Sequence, residues 1–442
     1  MTKSTSIERL CVAVDRLVDE RVGIVHSVRE FPRDSGGPDF FHFYAEACNT
    51  RAFTAQKNFG CTGGASTNRG IAMGKAIGEA IERYCSAIFE TEDFQLTSYD
   101  DAPFACVPPD RFAMYSAEQC ARPDFPYVPF TNGTPVKWTP ARDAQTGEPW
   151  YVPAAMVYMP YFFDEAHGEH PIVQRMSTGL ACHCSPSEAA MSAVCEVIER
   201  DAMTISWQAG LGMPQIIQNS LSEHNRDLVA RFDRIGCSVT LFDLTMDHRV
   251  PTILSVFRSR ITEAPALAFS AASSLDSEAA VRKSLEELAH TLRLAQQIKT
   301  SLPTFVPAPH YDNVDTQDDH VHLYCDHANI RLAEFVFNSR EHIDFRAIPN
   351  LATGDPETDL NILTRQIRNI GHQVLTVDLT TSDVRDVGLS VIRAIVPGFH
   401  PLFLGHKRRA LGGCRLWDVP QKLGYAGITR EAGDNQAPHP YP

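Results

Sequence analysis

The chain of 442 residues reads as an α/β protein built on mixed sheets packed with helices. Three observations predict this class. Strand-like apolar runs alternate with stretches of helical periodicity along most of the chain, as layered α/β domains require. An eight-residue helical pattern occurs twice, Ala76-Ile77-Gly78-Glu79-Ala80-Ile81-Glu82-Arg83 being answered by Ala193-Val194-Cys195-Glu196-Val197-Ile198-Glu199-Arg200. The composition, 43% apolar and 21% charged, is that of a globular chain able to bury a sizeable core.

Residues 1–60 read as an amphipathic helical start followed by short strands such as Phe40-Phe41-His42-Phe43-Tyr44. Gly60-Cys61-Thr62-Gly63-Gly64-Ala65-Ser66 reads as a turn-rich approach to the first Glu helix, expected over about Ile71 to Phe89. Proline and aromatic residues crowd 100–165, predicting an insertion of surface loops with strand-like pieces such as Trp150-Tyr151-Val152-Pro153. Ser177-Thr178-Gly179-Leu180-Ala181 introduces the second Glu helix, which Ser185-Pro186-Ser187-Glu188 caps. Val239 to Leu244 and Pro251 to Phe257 form two strands joined by a turn. Ser274 to Glu278 caps a third helix over about Ala279 to Lys299. A fourth, about Asp359 to Ile370, leads to strands at Gln373 to Leu379 and 391–396. The tail from Glu431 is polar and ends Pro438-His439-Pro440-Tyr441-Pro442; its prolines at alternate positions favour an extended conformation, although most termini are disordered.

A net charge of −14 argues against a sequence-blind nucleic-acid binder, which needs a basic footprint. No segment reads as membrane-spanning: the apolar stretch Leu389 to Leu404 is short and broken by Arg393, Pro397, Gly398 and His400. The N-terminus has no apolar core of a signal peptide, so the expected location is the cytoplasm. Twelve scattered cysteines without a secretory signal are read as reduced thiols. Cys182-His183-Cys184 has metal-ligand chemistry but no second Cys/His pair at zinc-finger spacing.

Each copy of the repeat places two carboxylates at i and i+3 on one helix face, an Arg beside them and small or aliphatic residues between. One copy alone would be read as a solvated face salt-bridged to its arginine. Recurrence of the same acids, the same arginine and the same apolar spacers favours metal or nucleotide binding. Two such helices facing each other would gather four carboxylates, a set suited to a hard divalent cation, above all Mg²⁺. A Gly-x-x-x-x-Gly-Lys-Ser/Thr phosphate loop is absent.

In order, the two Glu-x-x-Glu-Arg helices, Ser177 to Ala181, Val396-Pro397-Gly398-Phe399 and the terminal Pro438-x-Pro440-x-Pro442 resemble the YcaO family. The resemblance covers roughly residues 59–430 and the tail. It implies a YcaO-type fold with internal pseudo-symmetry: an N-terminal segment 1–58, a catalytic domain 59–430, and a tail 431–442 that threads back to the active site. It further implies ATP and Mg²⁺ as cofactors, with Glu79, Glu82, Glu196 and Glu199 as metal acids. Arg200 would sit at the phosphates, and Lys75, Glu188, Ser192, Arg282 and Glu286 would contact the nucleotide. Lys75 departs from a family Ser and Cys184 from a family Asn; His290 lies near a usual Gln, and Arg83 is either a second phosphate group or a partner of Glu79.

A tail of this form resembles that of the azoline-forming cyclodehydratases, with Pro442 and Arg200 in catalytic roles. Such enzymes phosphorylate a backbone amide oxygen and turn Cys, Ser or Thr of a ribosomal precursor peptide into thiazoline or (methyl)oxazoline rings. The alternatives are thioamide or amidine formation on the same ATP chemistry, or a non-catalytic scaffold. Because the first acid already stands at Glu79, little room is left for a leader-binding module, and a separate ThiF/E1-like partner is expected. A flavin-dependent azoline dehydrogenase and a homodimer are further expected partners.

Overall fold

The computed structural model describes residue 14, residues 16–32 and residues 36–442. The helical start expected over the first residues lies outside the described residues. The chain divides into two compact units. The first comprises the described residues up to Pro32, Phe41–Val197 and Thr353–Phe399; the second comprises residues 36–40, Ile198–Ala352 and His400–Pro442.

In the first unit, β1 (Val25–Glu30), β2 (Phe41–Ala47) and β3 (Cys61–Ser66) form an antiparallel sheet in that order. Phe43, Ala45 and Ala47 of β2 alternate onto the buried face, as the period of two requires. The expected turn at 60–66 is therefore a strand. Its glycines are there for close packing and not for turning: a Cβ on Gly64 would lie 2.4 Å from the Ala72 carbonyl oxygen and 2.7 Å from the Lys75 Cβ. That intimacy seats α1 (Arg69–Cys85) on the sheet. Asn68 caps it by accepting from the Ile71 N–H, and Ala72, Ala76, Ile77, Ala80, Ile81 and Tyr84 form its buried stripe. The helix stops at Cys85, short of the predicted Phe89, because the Ser86 carbonyl takes its hydrogen bond from the Met159 N–H at 3.0 Å.

A second sheet of this unit runs β4 (Gln95–Thr97), β5 (Val136–Asp143), β13 (Leu375–Asp378), β14 (Ser390–Ile395), β7 (Leu180–His183), with β6 (Pro149–Pro153) also on β5. Residues 136–143 are thus no surface insertion. Lys137, Pro140 and Arg142 mask the strand in sequence, yet Val136 and Trp138 are each 1% exposed and the Trp138 indole N–H donates to the Thr97 carbonyl. Before β13 comes α5 (Pro356–Asn369), capped by Asp355.

α2 (Pro186–Gln208) carries Glu188, Ser192, Glu196, Glu199 and Arg200 on one continuous helix. Ser185 starts it: its hydroxyl accepts from the Glu188 N–H and donates to the Glu188 carboxylate. The chain passes from the first unit to the second at Val197/Ile198 within this helix.

The second unit holds a sheet ordered β11 (Leu267–Ser273), β10 (Thr252–Arg258), β9 (Ser238–Asp243), β8 (Gln215–Ile216), β12 (His342–Ile343). β9 and β10 are the two predicted strands, paired antiparallel from Ile253–Asp243 to Arg258–Ser238. α3 (Glu223–Asp233) and α4 (Ser277–Ser301) follow the sheet's apolar pattern, Leu285, Leu288 and Leu292 of α4 being fully buried. A Ser255–Ser284 hydroxyl pair at 2.7 Å ties α4 to β10. α6 (Arg415–Lys422) leads to the tail. The tail is not frayed: Pro438, His439, Pro440 and Tyr441 are all buried.

Candidate active site

The first unit holds three of the predicted metal acids. Glu79 and Glu82 stand on the α1 face toward β3 and β7, and each accepts a backbone N–H: Gly63 at 3.3 Å to Glu79 and Cys182 at 2.8 Å to Glu82. Glu196 on α2 accepts from the Gly179 N–H at 3.0 Å. Gly179 has φ +85° and a Cβ there would meet the Ala394 carbonyl oxygen at 2.4 Å, so only glycine lets the lead-in approach the acid. Arg83 turns back on Glu79, Nη2 to Oε1 at 2.9 Å, a half-buried i,i+4 ion pair.

Of the three acids, Glu82 feels the charge of the other two. The Glu82 carboxyl is held well above the ordinary carboxylate value, first by enclosure in protein atoms, then by the Glu79 charge; Glu196 adds to the push while Arg83 and the Cys182 N–H oppose it. Arg393, a single charge inside the apolar strand β14, is 6% exposed; it donates Nη2 to the Met176 carbonyl, while its Nε and Nη1 have no hydrogen-bond partner. Burial pushes its value down to about 10 against the pull of Glu196. Crowded carboxylates and a buried, under-bonded guanidinium fit a site completed by a divalent cation and an anionic phosphate chain. Among the described residues no three acids, histidines or cysteines converge as a closed metal cage. The acids are instead spread onto separate backbone amides.

Glu199 and Arg200 belong to the second unit. Arg200 Nε lies 3.6 Å from Glu199 Oε1, and its guanidinium stacks 4.6 Å above the Tyr441 ring. The Tyr441 hydroxyl donates to Glu199 Oε1 at 2.5 Å and accepts from the Ala271 N–H of β11 at 3.4 Å. The tail is seated by a run of bonds: Trp207 Nε1 to the Ala437 carbonyl at 2.8 Å, Tyr324 hydroxyl to the Pro438 carbonyl at 2.5 Å, and His439 stacked on His320 with ring centroids 3.9 Å apart. Arg282 is half-buried and Glu286 2% exposed, one turn apart on α4. In the first unit, Lys75 and Ser192 are half-buried on α1 and α2, and Glu188 lies 3.4 Å from His183 Nδ1.

Two participants were not legible as such. Tyr441 fills an unspecified position of the proline pattern, and its only signal is an aromatic where any residue would serve. Arg393 carried a better signal, a lone charge among Val391, Ile392, Ala394, Ile395 and Val396.

The architecture is shared with solved heterocyclases. A heterocyclase in complex with substrate and cofactor matches with a TM-score of 0.81 at 20% identity over 99% of this chain and 58% of that one, so this chain spans a little over half of its length. The YcaO protein of Methanopyrus kandleri, bound with AMPPCP and Mg²⁺, matches at 0.63 and 20% identity over 90% of this chain and 91% of that one. The E. coli microcin synthetase McbBCD complex with pro-MccB17 bound matches at 0.61 and 14% identity, covering 94% and 96%. An uncharacterized protein of Methanothermobacter thermautotrophicus is 28% identical over 347 residues, 76% of this chain and 80% of its own. The family model for YcaO cyclodehydratase, ATP- and Mg²⁺-binding, matches residues 63–400. The chain belongs to the YcaO family, whose members are ATP-dependent enzymes, and ATP and Mg²⁺ are the cofactors this membership brings. Among the described residues, no helix is long and apolar enough to cross a membrane.

Proposed function

We propose that this protein is an ATP-dependent cyclodehydratase that closes azoline rings on Cys, Ser or Thr residues of a ribosomally made precursor peptide. The observation that carries the reading is the buried tail, which brings the chain's last residues to Glu199 and Arg200. Alternating prolines limit the freedom lost when the tail seats, which favours a fixed terminal carboxylate at Pro442.

The chemistry follows from what an amide lacks. A substrate thiol or hydroxyl adds to the preceding carbonyl carbon, and the Pro442 carboxylate receives the proton or orients the group that does. The oxygen of the tetrahedral adduct, a poor leaving group, then takes the γ-phosphoryl group of the co-substrate ATP. With ADP left behind, the adduct collapses: the former amide nitrogen gives up its proton and forms the C=N bond as the carbon–oxygen bond breaks, expelling inorganic phosphate and leaving the five-membered ring. Glu79, Glu82, Glu196 and Glu199 are the residues that would hold Mg²⁺, which supplies positive charge against the phosphates. Arg200 contributes a planar, permanently charged donor to the oxygens that gain charge. Lys75, Glu188, Ser192, Arg282 and Glu286 are proposed nucleotide contacts.

A leader-binding partner of the ThiF/E1-like kind is part of the proposal. It is supported by the likeness to the microcin synthetase McbBCD, a complex solved with pro-MccB17 bound. The test removes only Pro442 and follows Mg-ATP binding and peptide mass with the partner present. Retained nucleotide binding with loss of the one-water mass decrease per ring is the expected result. Undiminished ring formation would move the thioamide, amidine and scaffold readings ahead.

A further inference from the structure

We infer that Asn435 is a positioning residue: by capping the C-terminus of α2 it sets the register of the tail along that helix. It thereby fixes how far the chain's last residues reach toward Glu199 and Arg200. The inference rests on the reading that the end of the tail acts beside those two residues. It moves the seat of the tail from its prolines to the polar run Asp434-Asn435-Gln436-Ala437.

The end of α2 closes only in part on itself. Gly210, at φ +62°, stops the helix with two bonds, Leu211 N–H to the Ser206 carbonyl at 2.9 Å and Gly210 N–H to the Trp207 carbonyl at 3.1 Å. The carbonyl of Gln208, a residue 1% exposed, lies beyond both, and a buried carbonyl without a donor is costly. Asn435 gives it its own N–H at 2.7 Å and adds Nδ2 to the Trp207 carbonyl at 3.1 Å. Its Oδ1 accepts from the Ala437 N–H at 3.0 Å, which turns the chain into the prolines. Both polar atoms of the side chain are thus engaged. Asp, which has no donor, and Gln, one methylene longer, do not reproduce the set.

Side chains reach back from the helix to the same run. Trp207 Nε1 donates to the Ala437 carbonyl at 2.8 Å. His400 Nε2 donates to Gln208 Oε1 at 2.5 Å, so the amide turns its own Nε2 to Asp434 Oδ2 at 2.8 Å. An acid at a helix C-terminus is opposed by the helix dipole. Arg409 offsets the buried Asp434 through Nε at 2.7 Å and donates Nη2 to Gln436 Oε1 at 3.1 Å. Four direct bonds therefore join Trp207 and Gln208 to residues 434–437.

Register follows from lengths. From Trp207 back to Glu199 is eight residues, about 12 Å on a helix rising about 1.5 Å per residue. From Ala437 to Tyr441 is four residues, about 12 Å at the polyproline rise of about 3.1 Å. The spans match and their ends meet: Trp207 bonds Ala437, and Glu199 accepts from the Tyr441 hydroxyl. One residue of slip in the tail would carry its end past about two residues of the helix. Tyr324 and His320 hold the Pro438 and His439 carbonyls, but a carbonyl recurs at every residue and survives a slip. The competing anchor is the His439 ring, whose Nε2 donates to the Phe403 carbonyl at 2.7 Å.

The experiment inserts one alanine into the full chain, either between Glu431 and Ala432, both exposed, or between Ala437 and Pro438. The first insertion precedes the anchor and should leave hydrogen exchange of the tail as in the parent. The second displaces everything after the anchor by one residue. It should keep the Asn435 and Ala437 amides protected, speed exchange at His439 and Tyr441 at least about tenfold, and leave AMPPCP binding in Mg²⁺ within about twofold of the parent. Ring formation, in the assay used for the Pro442 deletion, should survive the first insertion and be lost with the second. Asn435→Ala removes two side-chain bonds and should speed exchange of the tail amides about tenfold to a hundredfold, with circular dichroism melts showing that the variant is folded. Parental exchange at His439 and Tyr441 after the second insertion would make His439 the anchor and overturn the inference. Equal effects of the two insertions would overturn it as well. A Pro442 deletion that still forms rings overturns the reading beneath it, while the exchange comparison still decides the anchor.

Discussion

The two copies of Glu-x-x-Glu-Arg have the same spacing and opposite surroundings. In the first, Arg83 is spent on its own helix, paired with Glu79 one turn back, while burial and neighbouring acids hold Glu82 protonated over a wider pH range than an ordinary carboxyl. In the second, Arg200 sits on an aromatic face and Glu199 accepts a tyrosine hydroxyl. The residue after each arginine differs as well: Tyr84 donates to Asp383 in the first unit, and Asp201 is locked to Arg415 in the second. A duplicated motif thus yields one copy that concentrates negative charge and one whose arginine lies on an aromatic ring beside its own acid. The spacing sets which side chains share a face; only the packing decides what each of them touches.

The largest effect should come from the acids. Glu82→Gln and Glu199→Gln should each lower Mg²⁺-dependent turnover by at least about 100-fold with the fold intact, since even outer groups of a metal site are worth 10–100-fold. The copies separate in a thermal melt without Mg²⁺. Glu82→Gln removes a carboxyl that its neighbours push toward the protonated form and should raise the melting temperature, whereas Glu199→Gln alters the acceptor of the Tyr441 hydroxyl and should not raise it. A lower melting temperature for Glu82→Gln would show that Glu82 is not the strained acid of the set.

Much of this contrast could be anticipated and some could not. The helices around both acid pairs follow from apolar spacing, and caps such as Ser185 and Asp355 mark their starts. Residues 60–66 misled because two adjacent glycines report either a turn or a close approach, and only the position of Ala72 and Lys75 against Gly64 decides. Residues 136–143 misled because proline and charged residues interrupt the apolar alternation of a strand that is internal to its sheet. The pairing of Arg83 with Glu79 was one of two open readings; the place of Tyr441 was invisible, because Glu199, which accepts from its hydroxyl, lies 242 residues away in sequence.

The next effect tests the residue beside Arg200. Arg415 holds Asp201 through Nε at 2.8 Å and Nη2 at 2.7 Å, with Asp247 at 2.8 Å from the same guanidinium. Burial alone would raise the Asp201 carboxyl, but the Arg415 charge and its hydrogen bonds hold it below the ordinary 3.8. Asp201→Ala leaves a buried, half-paired guanidinium and should cost about 3–5 kcal/mol in denaturant unfolding. Tyr84→Phe, the corresponding change after Arg83, removes one hydrogen bond from an exposed carboxylate and should cost no more than about 0.5–1.5 kcal/mol. Equal costs would mean that the two arginines are flanked by equivalent supports.

The mildest perturbation is pH, and it should act on the two units with opposite sign. Glu82 has a raised value in the folded state, so the fold binds a proton that the unfolded chain has already lost; acidification toward the ordinary 4.5 stabilises its surroundings. The tail is framed by neutral histidines whose values burial pushes down, His320 to about 4, His406 to about 3 and His439 well below 6.5. For these the unfolded chain gains protons first, so stability present above pH 6.5 is lost as the pH falls from 6.5 toward 4. At pH 5 each such histidine should cost on the order of 2 kcal/mol. Protonation would also put a donor on His320 Nε2 against the Gly405 N–H and on His439 Nδ1 against the Tyr441 N–H. Hydrogen exchange, corrected for intrinsic rates, should therefore show β11 and the tail losing protection at pH 5 relative to pH 7 while α1 keeps or gains it. Protection that falls equally in both would mean that the tail histidines are not the groups that titrate.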